Sequence, residues 1–189
     1  MERSDRELVR ESRHGDREAF RKLVERYQRK ILSVALGMVH NRDDALELTQ
    51  ETFIKAYENL DRFKGESSFY TWLYRIAVNL GIDFRRRDRR HATLSLADRP
   101  GGGEDLEAAM PEQRLADPYQ QVRSRQIGER LEQAVSELTP DHKAVILLRE
   151  VEGLSYEDIS RVMQCSKGTV MSRLHYARKK LQDKLKDVL

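Results

Sequence analysis

The sequence predicts an all-α protein: two small helical domains joined by a flexible linker, the C-terminal one a helix-turn-helix. Three observations predict it. Apolar residues recur at the helical period of 3.6 on both sides of residues 93–118, and no strand alternation or hairpin signal occurs. Residues 93–118 hold three of the four prolines and a Gly triplet, a composition that disfavours a packed element. Charge divides the same way. Residues 1–92 carry 20 basic and 16 acidic groups, residues 93–118 carry 2 and 6, and residues 119–189 carry 13 and 10. Two basic blocks around an acidic one suggest two modules that face nucleic acid and a linker that avoids it. The predicted domains are therefore 1–92 and 119–189.

Taken in order, Phe20, Leu23, Val24, Tyr27, Ile31, Ala35 and Met38 keep a helical period from an Asp16 cap to about Asn41. A second helix is expected from about Asp43 to Leu60, with Leu46, Phe53, Tyr57 and Leu60 inward. A third spans about Phe69 to Arg87, with Trp72, Leu73, Ile76, Ala77 and Leu80 as its buried stripe. After the linker, Ile127, Leu131, Ala134, Val135 and Leu138 form another stripe. Thr139-Pro140-Asp141 then restarts a helix, with Thr as N-cap and Pro at the first position. Ser155 and Asp158 are spaced as a capping box for a short helix that ends near Gln164-Cys165. Ser166 can cap the next one, from Lys167 to about Lys186. Two helices across a tight turn, the second basic, make a helix-turn-helix pattern.

Composition excludes several classes. No apolar run approaches the ~20 residues of a membrane span, and the polar start carries no targeting segment, which predicts a cytoplasmic protein with no direct membrane insertion. A single cysteine, Cys165, rules out an internal disulfide, and the five histidines (14, 40, 91, 142 and 175) lack ligand spacing. No metal and no cofactor is expected. Paired carboxylates, a nucleophile constellation and a phosphate-binding Gly loop are all missing, so the chain reads as a non-enzyme.

Two regions carry the functional signal. Five of the thirteen aromatic residues, including the only tryptophan, lie at Phe63, Phe69, Tyr70, Trp72 and Tyr74, and the arginine-rich run from Asp83 to Arg90 follows. Exposed rings stack on unpaired bases and guanidinium groups neutralise phosphates, so this stretch suits single-stranded or opened nucleic acid. The same rings also fit a helical core, and both readings can hold. On the last helix, Val170, Leu174, Ala177 and Leu181 line one face. Gly168, Ser172, His175 and Lys179 centre the opposite face, flanked by Met171 and Tyr176. Lys167, Arg173, Arg178 and Lys180 sit on the shoulders, suited to phosphates rather than base edges.

Five motifs in order now name a family. They are G-D-R-E-A-F-R-K-L-V-E-R-Y at 15–27, D-D-A-L-E-L-T-Q-E-T-F-I-K-A-Y at 43–57 and F-Y-T-W-L-Y-R-I-A-V-N at 69–79. L-R-E-V-E-G-L-S-Y-E-D-I-S at 148–160 and C-S-K-G-T-V-M-S-R-L-H-Y-A-R at 165–178 complete the set. Over nearly its whole length the chain resembles the extracytoplasmic-function (ECF), sigma-E-like group of bacterial sigma-70-type RNA polymerase sigma factors.

The resemblance implies a sigma factor that binds core polymerase, reads −10 and −35 promoter elements, and promotes melting and transcription initiation. It implies contact of the second helix with the β′ clamp helices, and of the protein with the β subunit, through Asp43, Asp44, Glu47, Gln50, Glu51, Ile54 and Glu58. Glu47, Gln50, Glu51, Ile54 and Glu58 also recur at i, i+3, i+4, i+7 and i+11, a polar stripe suited to a basic helix. By itself that stripe reads first as a solvated helix face. The resemblance places −10 capture and melting at Phe63, Lys64, Ser67, Ser68, Phe69, Tyr70, Trp72 and Asn79, with Arg85, Arg86 and Arg87 on the backbone. It places −35 reading on Ser166, Lys167, Gly168, Thr169, Met171, Ser172, Arg173, His175, Tyr176, Arg178 and Lys179. Members of the family often carry a basic residue where this chain has Met171 and Tyr176, so their −35 preference does not transfer. An anti-sigma factor, often membrane-bound, is a further implied partner and would hold the protein at the inner membrane.

Reach can be checked against this. A promoter spacer of about 17 base pairs at ~3.4 Å each spans roughly 60 Å. A linker of about 26 residues extends to ~90 Å but averages only ~30 Å as a coil, so it must be held stretched. The alternative, a stand-alone helix-turn-helix regulator that does not depend on polymerase, explains residues 127–189 but leaves the 63–90 cluster idle.

Overall fold

The computed structural model describes residues 3–39, 41–94, 127–128 and 130–186, with the backbone alone for 88–94. The linker expected beyond residue 94 lies outside the described residues, as do the side chains of Arg89 and Arg90. Helix α1 spans Asp5–Arg13 and was not expected. Ser4 and Glu7 cap it reciprocally, the Ser4 side chain accepting from the Glu7 amide while the Glu7 carboxylate accepts from Ser4 N at 2.8 Å. Helix α2 spans Arg17–Met38 and starts where Asp16 accepts from the amides of Glu18 and Ala19. Helix α3 spans Arg42–Glu58 under an Asn41 cap, a 3-10 turn covers Leu60–Arg62, and α4 spans Phe69–Leu94. These helices bury Leu8, Leu23, Ile31, Met38, Phe53, Leu73 and Val78 against one another.

The second module begins with α5, whose described residues are 127–128 and 130–136. Helix α6, Pro140–Ile146, starts on the Thr139 cap and runs into a wide π turn over Leu147–Val151. Helices α7, Tyr156–Met163, and α8, Lys167–Leu185, are capped by Ser155 and Ser166. Between them Gln164 takes a left-handed conformation with φ of 50°, which turns the chain sharply enough for α8 to lie across α7. Val170, Leu174 and Ala177 of α8 are buried, as the stripe predicted.

The two modules share a seam that the sequence did not reveal. Helix α4 packs on α7, and α2 packs on α6 and the π turn, so buried residues of both modules form one continuous core. Tyr74 donates to the Glu152 carboxylate, Arg75 Nη2 donates to the Arg161 carbonyl at 2.9 Å, and Arg85 Nη2 donates to the Ser136 carbonyl at 3.4 Å. A Cβ on Gly37 would lie 2.5 Å from Leu147 Cδ2, so the Leu147 side chain packs directly on the α2 backbone there and would have to shift for any larger residue.

Several inward assignments need correction. Leu46 and Tyr57 of α3 are each 45% exposed, and Leu131 of α5 is also exposed. The buried face of α3 is instead Ala45, Leu48, Thr49, Thr52, Phe53 and Ala56. Apolar residues lie around most of this helix, so its period alone does not select the face a neighbour covers.

Candidate nucleic-acid interface

A cleft of about 370 Å³ opens between α3 and α4, lined by Lys55, Asn59, Arg62, Trp72, Ile76, Asn79, Leu80 and Asp83. Trp72, Ile76, Asn79 and Asp83 sit at i, i+4, i+7 and i+11 on α4, facing Lys55, Asn59 and Arg62 at i, i+4 and i+7 on α3 and its 3-10 extension. Two amides and an indole converge there. Such groups can stack on a base and hydrogen-bond its edge. Lys55, Asn59 and Arg62 escaped the sequence reading, although the helix expected to Leu60 needed to run only two residues further, to Arg62, to show their spacing.

The loop 63–68 runs beside this cleft and is held at its start. Arg13 Nε donates to the Leu60 carbonyl at 3.0 Å, and its Nη2 donates to that of Phe63. Gly65 takes φ of +74°, a conformation side chains rarely adopt, so the loop turns there because Cβ is missing. Phe63 is half-buried, its ring centroid 5.1 Å from that of Trp72 and 6.0 Å from that of Phe69. Tyr70 is partly exposed and meets Tyr74 edge-on. Lys64 is exposed. Ser68 starts α4, accepting from Thr71 N at 3.2 Å, and Ser67 donates to the Ser68 carbonyl at 3.3 Å.

Two residues expected to meet DNA lie elsewhere. Phe69 is 3% exposed, wedged among Tyr27, Phe63 and Trp72, so it supports the rings and offers no free face. Arg85 is 7% exposed and bonded across the seam, so it does not grip a phosphate in this arrangement. Arg86 and Arg87 are exposed, as expected. Lys143 of α6 is also buried at the seam. Desolvation, helped by the nearby Arg85 guanidinium and opposed by Glu132, pushes its ammonium down to about 8.

The outward face of α3 carries Asp43, Glu47, Gln50, Glu51 and Glu58 with Ile54, which is 50% exposed. Leu46 and Tyr57 join it and widen the apolar part beyond the single anchor expected. Asp44 is drawn into the Asn41 cap, accepting from Asn41 Nδ2 at 2.8 Å. A groove beside this face is lined by Asp44, Glu47, Glu51 and Asp83 with Leu48, Leu80 and Phe84, and Lys55 and Arg87 stand at its rim. Its carboxylates suit a basic side chain reaching in from a partner.

On α8, Met171, Ser172, His175, Tyr176 and Lys179 all point out. Ser166 Oγ accepts from Thr169 N at 3.1 Å and contacts the Thr169 hydroxyl, so both residues act mainly at the helix start. The shoulder cations are engaged within the chain. Lys167 pairs with Glu157 at 2.9 Å and Arg178 with Glu150 at 2.6 Å. The Lys167 hydrogen bond holds the Glu157 carboxyl below its usual range. Arg173 pairs with Asp141 at 3.2 Å and is only partly exposed, a correction to its expected place on a free shoulder.

Known proteins resolve what kind of chain carries these surfaces. The model for sigma-70 region 2 matches residues 23–91, and that for region 4 of sigma-70 matches residues 128–181. The RNA polymerase sigma-H factor of Pseudomonas aeruginosa is 40% identical over 98% of this chain and 95% of its own. The chain belongs to the ECF group of sigma-70 factors. The ECF RNA polymerase sigma-E factor of Escherichia coli is 37% identical over 98% of this chain and 96% of its own. Two solved structures share the fold at a TM-score of 0.68 and 26% identity. One is the sigma factor RpoE in complex with the anti-sigma factor NepR from Bartonella quintana, covering 88% of this chain and 96% of that one. The other is CnrH in complex with the cytosolic domain of CnrY, covering 97% of each. The chain is thus an RNA polymerase sigma factor, whose region 2 match spans the α3–α4 cleft and whose region 4 match contains α7 and most of α8. Among the described residues no helix is long and apolar enough to cross a membrane.

Proposed function

We propose that this sigma factor divides its work among three surfaces: α3 docks on core polymerase, the α3–α4 cleft captures bases of the −10 element, and α8 reads the −35 element. On α3 the contacts are Asp43, Glu47, Gln50, Glu51, Ile54 and Glu58, with Leu46 and Tyr57 added. In the cleft, Trp72 supplies a ring and Asn79 an amide, Phe63 and Tyr70 border them, and Lys64, Arg62, Arg86 and Arg87 face phosphates. The protein performs no catalysis of its own. The domains are 1–92 and 119–189, joined by a linker over 93–118. Two elements roughly 60 Å apart cannot be read by modules packed at one seam, so the modules separate on the promoter and the linker supplies the reach. An anti-sigma factor is the expected inhibitor, in line with the complexes formed by the two structural relatives, and the protein resides in the cytoplasm or is held at the membrane through that inhibitor.

The observation that carries this reading is the cleft, where an indole and two amides meet beside an arginine-pinned loop. A stand-alone regulator has no use for it. Asn79→Ala tests the reading because Asn79 is exposed and its loss leaves the core intact. Transcription from a duplex promoter should fall about five- to twentyfold, the size of a lost base contact, yet much less from a template already unpaired across the −10 element. Permanganate footprinting of opened thymines reports the same step directly. Equal losses on both templates would remove base capture from the cleft.

A further inference from the structure

The base-facing part of α8 is poor in free charge. Met171, Ser172, His175 and Tyr176 follow i, i+1, i+4 and i+5 and share one outward face. None of the four is a lysine or an arginine, and all are exposed, Met171 at 56% and Tyr176 at 62%. The one guanidinium within this span turns aside. Arg173 lies 3.2 Å from Asp141 and 4.0 Å from the Cys165 sulfur. Reading guanine in the major groove by a bidentate pair takes arginine or lysine; between Gly168 and Tyr176 this face presents neither free, and the exposed Lys179 lies about a turn further along the helix.

What the face does offer is narrower. The Ser172 hydroxyl donates to the Thr169 carbonyl at 3.0 Å, so its oxygen keeps only acceptor capacity towards a base. Tyr176 is flanked by His175, with ring centroids 5.7 Å apart, and by His142 at 6.4 Å, so aromatic surface extends along this flank. Met171 is flexible and polarisable, suited to close around a small apolar group. The apolar group that base edges present in the major groove is the thymine 5-methyl.

We infer that this chain reads its upstream promoter element through thymine methyl groups, with Met171 as the principal contact and the Tyr176 ring on the other flank of the face, in place of arginine–guanine pairing. The inference rests on α8 being the −35 reader. Burying one methyl against a side chain changes binding by about fourfold.

The test uses the full chain assembled with core RNA polymerase. Duplex promoters randomised across the upstream element are selected for binding, and the enriched element is remade with each thymine replaced in turn by uracil, which removes the methyl and keeps the pairing. At least one replacement should weaken binding about fourfold. In Met171→Ala, checked for native helicity, that sensitivity should vanish, and Met171→Arg should move the selected preference towards guanine. The inference is overturned if every uracil is tolerated, or if the penalty persists unchanged in Met171→Ala. If nothing is enriched at all, the −35 assignment of α8 fails first and the inference falls with it.

Discussion

Helices α3 and α8 each turn a polar stripe outward, but they leave their charges in opposite conditions. On α3, Glu51 pairs with Lys55 at 3.1 Å, while Asp43, Glu47 and Glu58 form no ion pair among the described residues. On α8, Lys167, Arg173, Arg178 and Lys184 pair with Glu157, Asp141, Glu150 and Glu137. A count of charges treats the two helices alike. A partner responds only to charge that the chain has not already neutralised, so α3 is poised for electrostatic docking, whereas on α8 these four cations must first exchange partners. Lys179 alone on the outward face of α8 forms no ion pair among the described residues. Exposed pairs are worth only ~0–1 kcal/mol, so phosphates can displace the acidic residues, at the cost of a weaker net gain per contact.

The sharpest way to break this contrast is on α3. Reversing Glu47 and Glu51 to Lys should weaken core-polymerase binding about ten- to a hundredfold with helicity unchanged, because both carboxylates would meet a basic partner helix. Undiminished capture of core enzyme by the double variant would mean the acidic face is merely solvated.

Lys143 extends the comparison to a buried charge that forms no ion pair among the described residues. Its ammonium gives up a proton at about 8 in the folded chain, against 10.5 ordinarily. Between these values the unfolded chain holds more protons, so stability should rise with pH from about 8 to 10.5, and the burial penalty is fully present below 8. Lys143→Met should stabilise the protein by about 1–3 kcal/mol at pH 7 and abolish that rise, measured as the difference between the two chemical-denaturation profiles.

At the same seam, Tyr74→Phe removes the hydrogen bond to Glu152. A loss of about 1–2 kcal/mol is expected, since the acceptor is a carboxylate. Burial and the Glu152 contact both push the Tyr74 phenol up, so the wild-type bond should persist to high pH. An unchanged denaturation midpoint would mean that this contact adds nothing to the packing of the modules.

The smallest effect concerns the paired cations of α8. Glu150→Gln should release Arg178, raise affinity for promoter and unrelated DNA alike by a few-fold, and steepen the salt dependence by about one phosphate contact. A salt slope identical to wild type would show that Arg178 exchanges partners freely and that the α3–α8 contrast has no energetic consequence.

Much of the local structure was legible in the sequence. Asp16, Thr139-Pro140, Ser155 and Ser166 each cap the helix they announce, because a cap satisfies amides two or three residues away and needs nothing distant. The inner stripe of α8 was legible for the same reason. Its aliphatic residues Val170, Leu174, Ala177 and Leu181 fall on one side, and that stripe packs inward. Helix α1 shows that a cap can be present and still be passed over, since its Ser4–Glu7 box precedes a segment with few apolar residues.

Tertiary structure decided the rest. Whether Phe69 is a stacking face or a wedge, and whether Arg85 meets DNA or the Ser136 carbonyl, depends on which neighbour covers α4. Helix α3 turned Leu46 outward and left Tyr57 half-exposed at its edge, against Phe20 of α2, because α2 and α4 cover the face of Leu48, Thr52 and Ala56. The seam joins Tyr74 to Glu152 across 78 positions of sequence. Periodicity and capping act within one or two turns of a helix, so they fix where helices begin and which faces are apolar. Contacts between residues so far apart are selected by shape and charge complementarity in three dimensions, and that information is distributed over both modules.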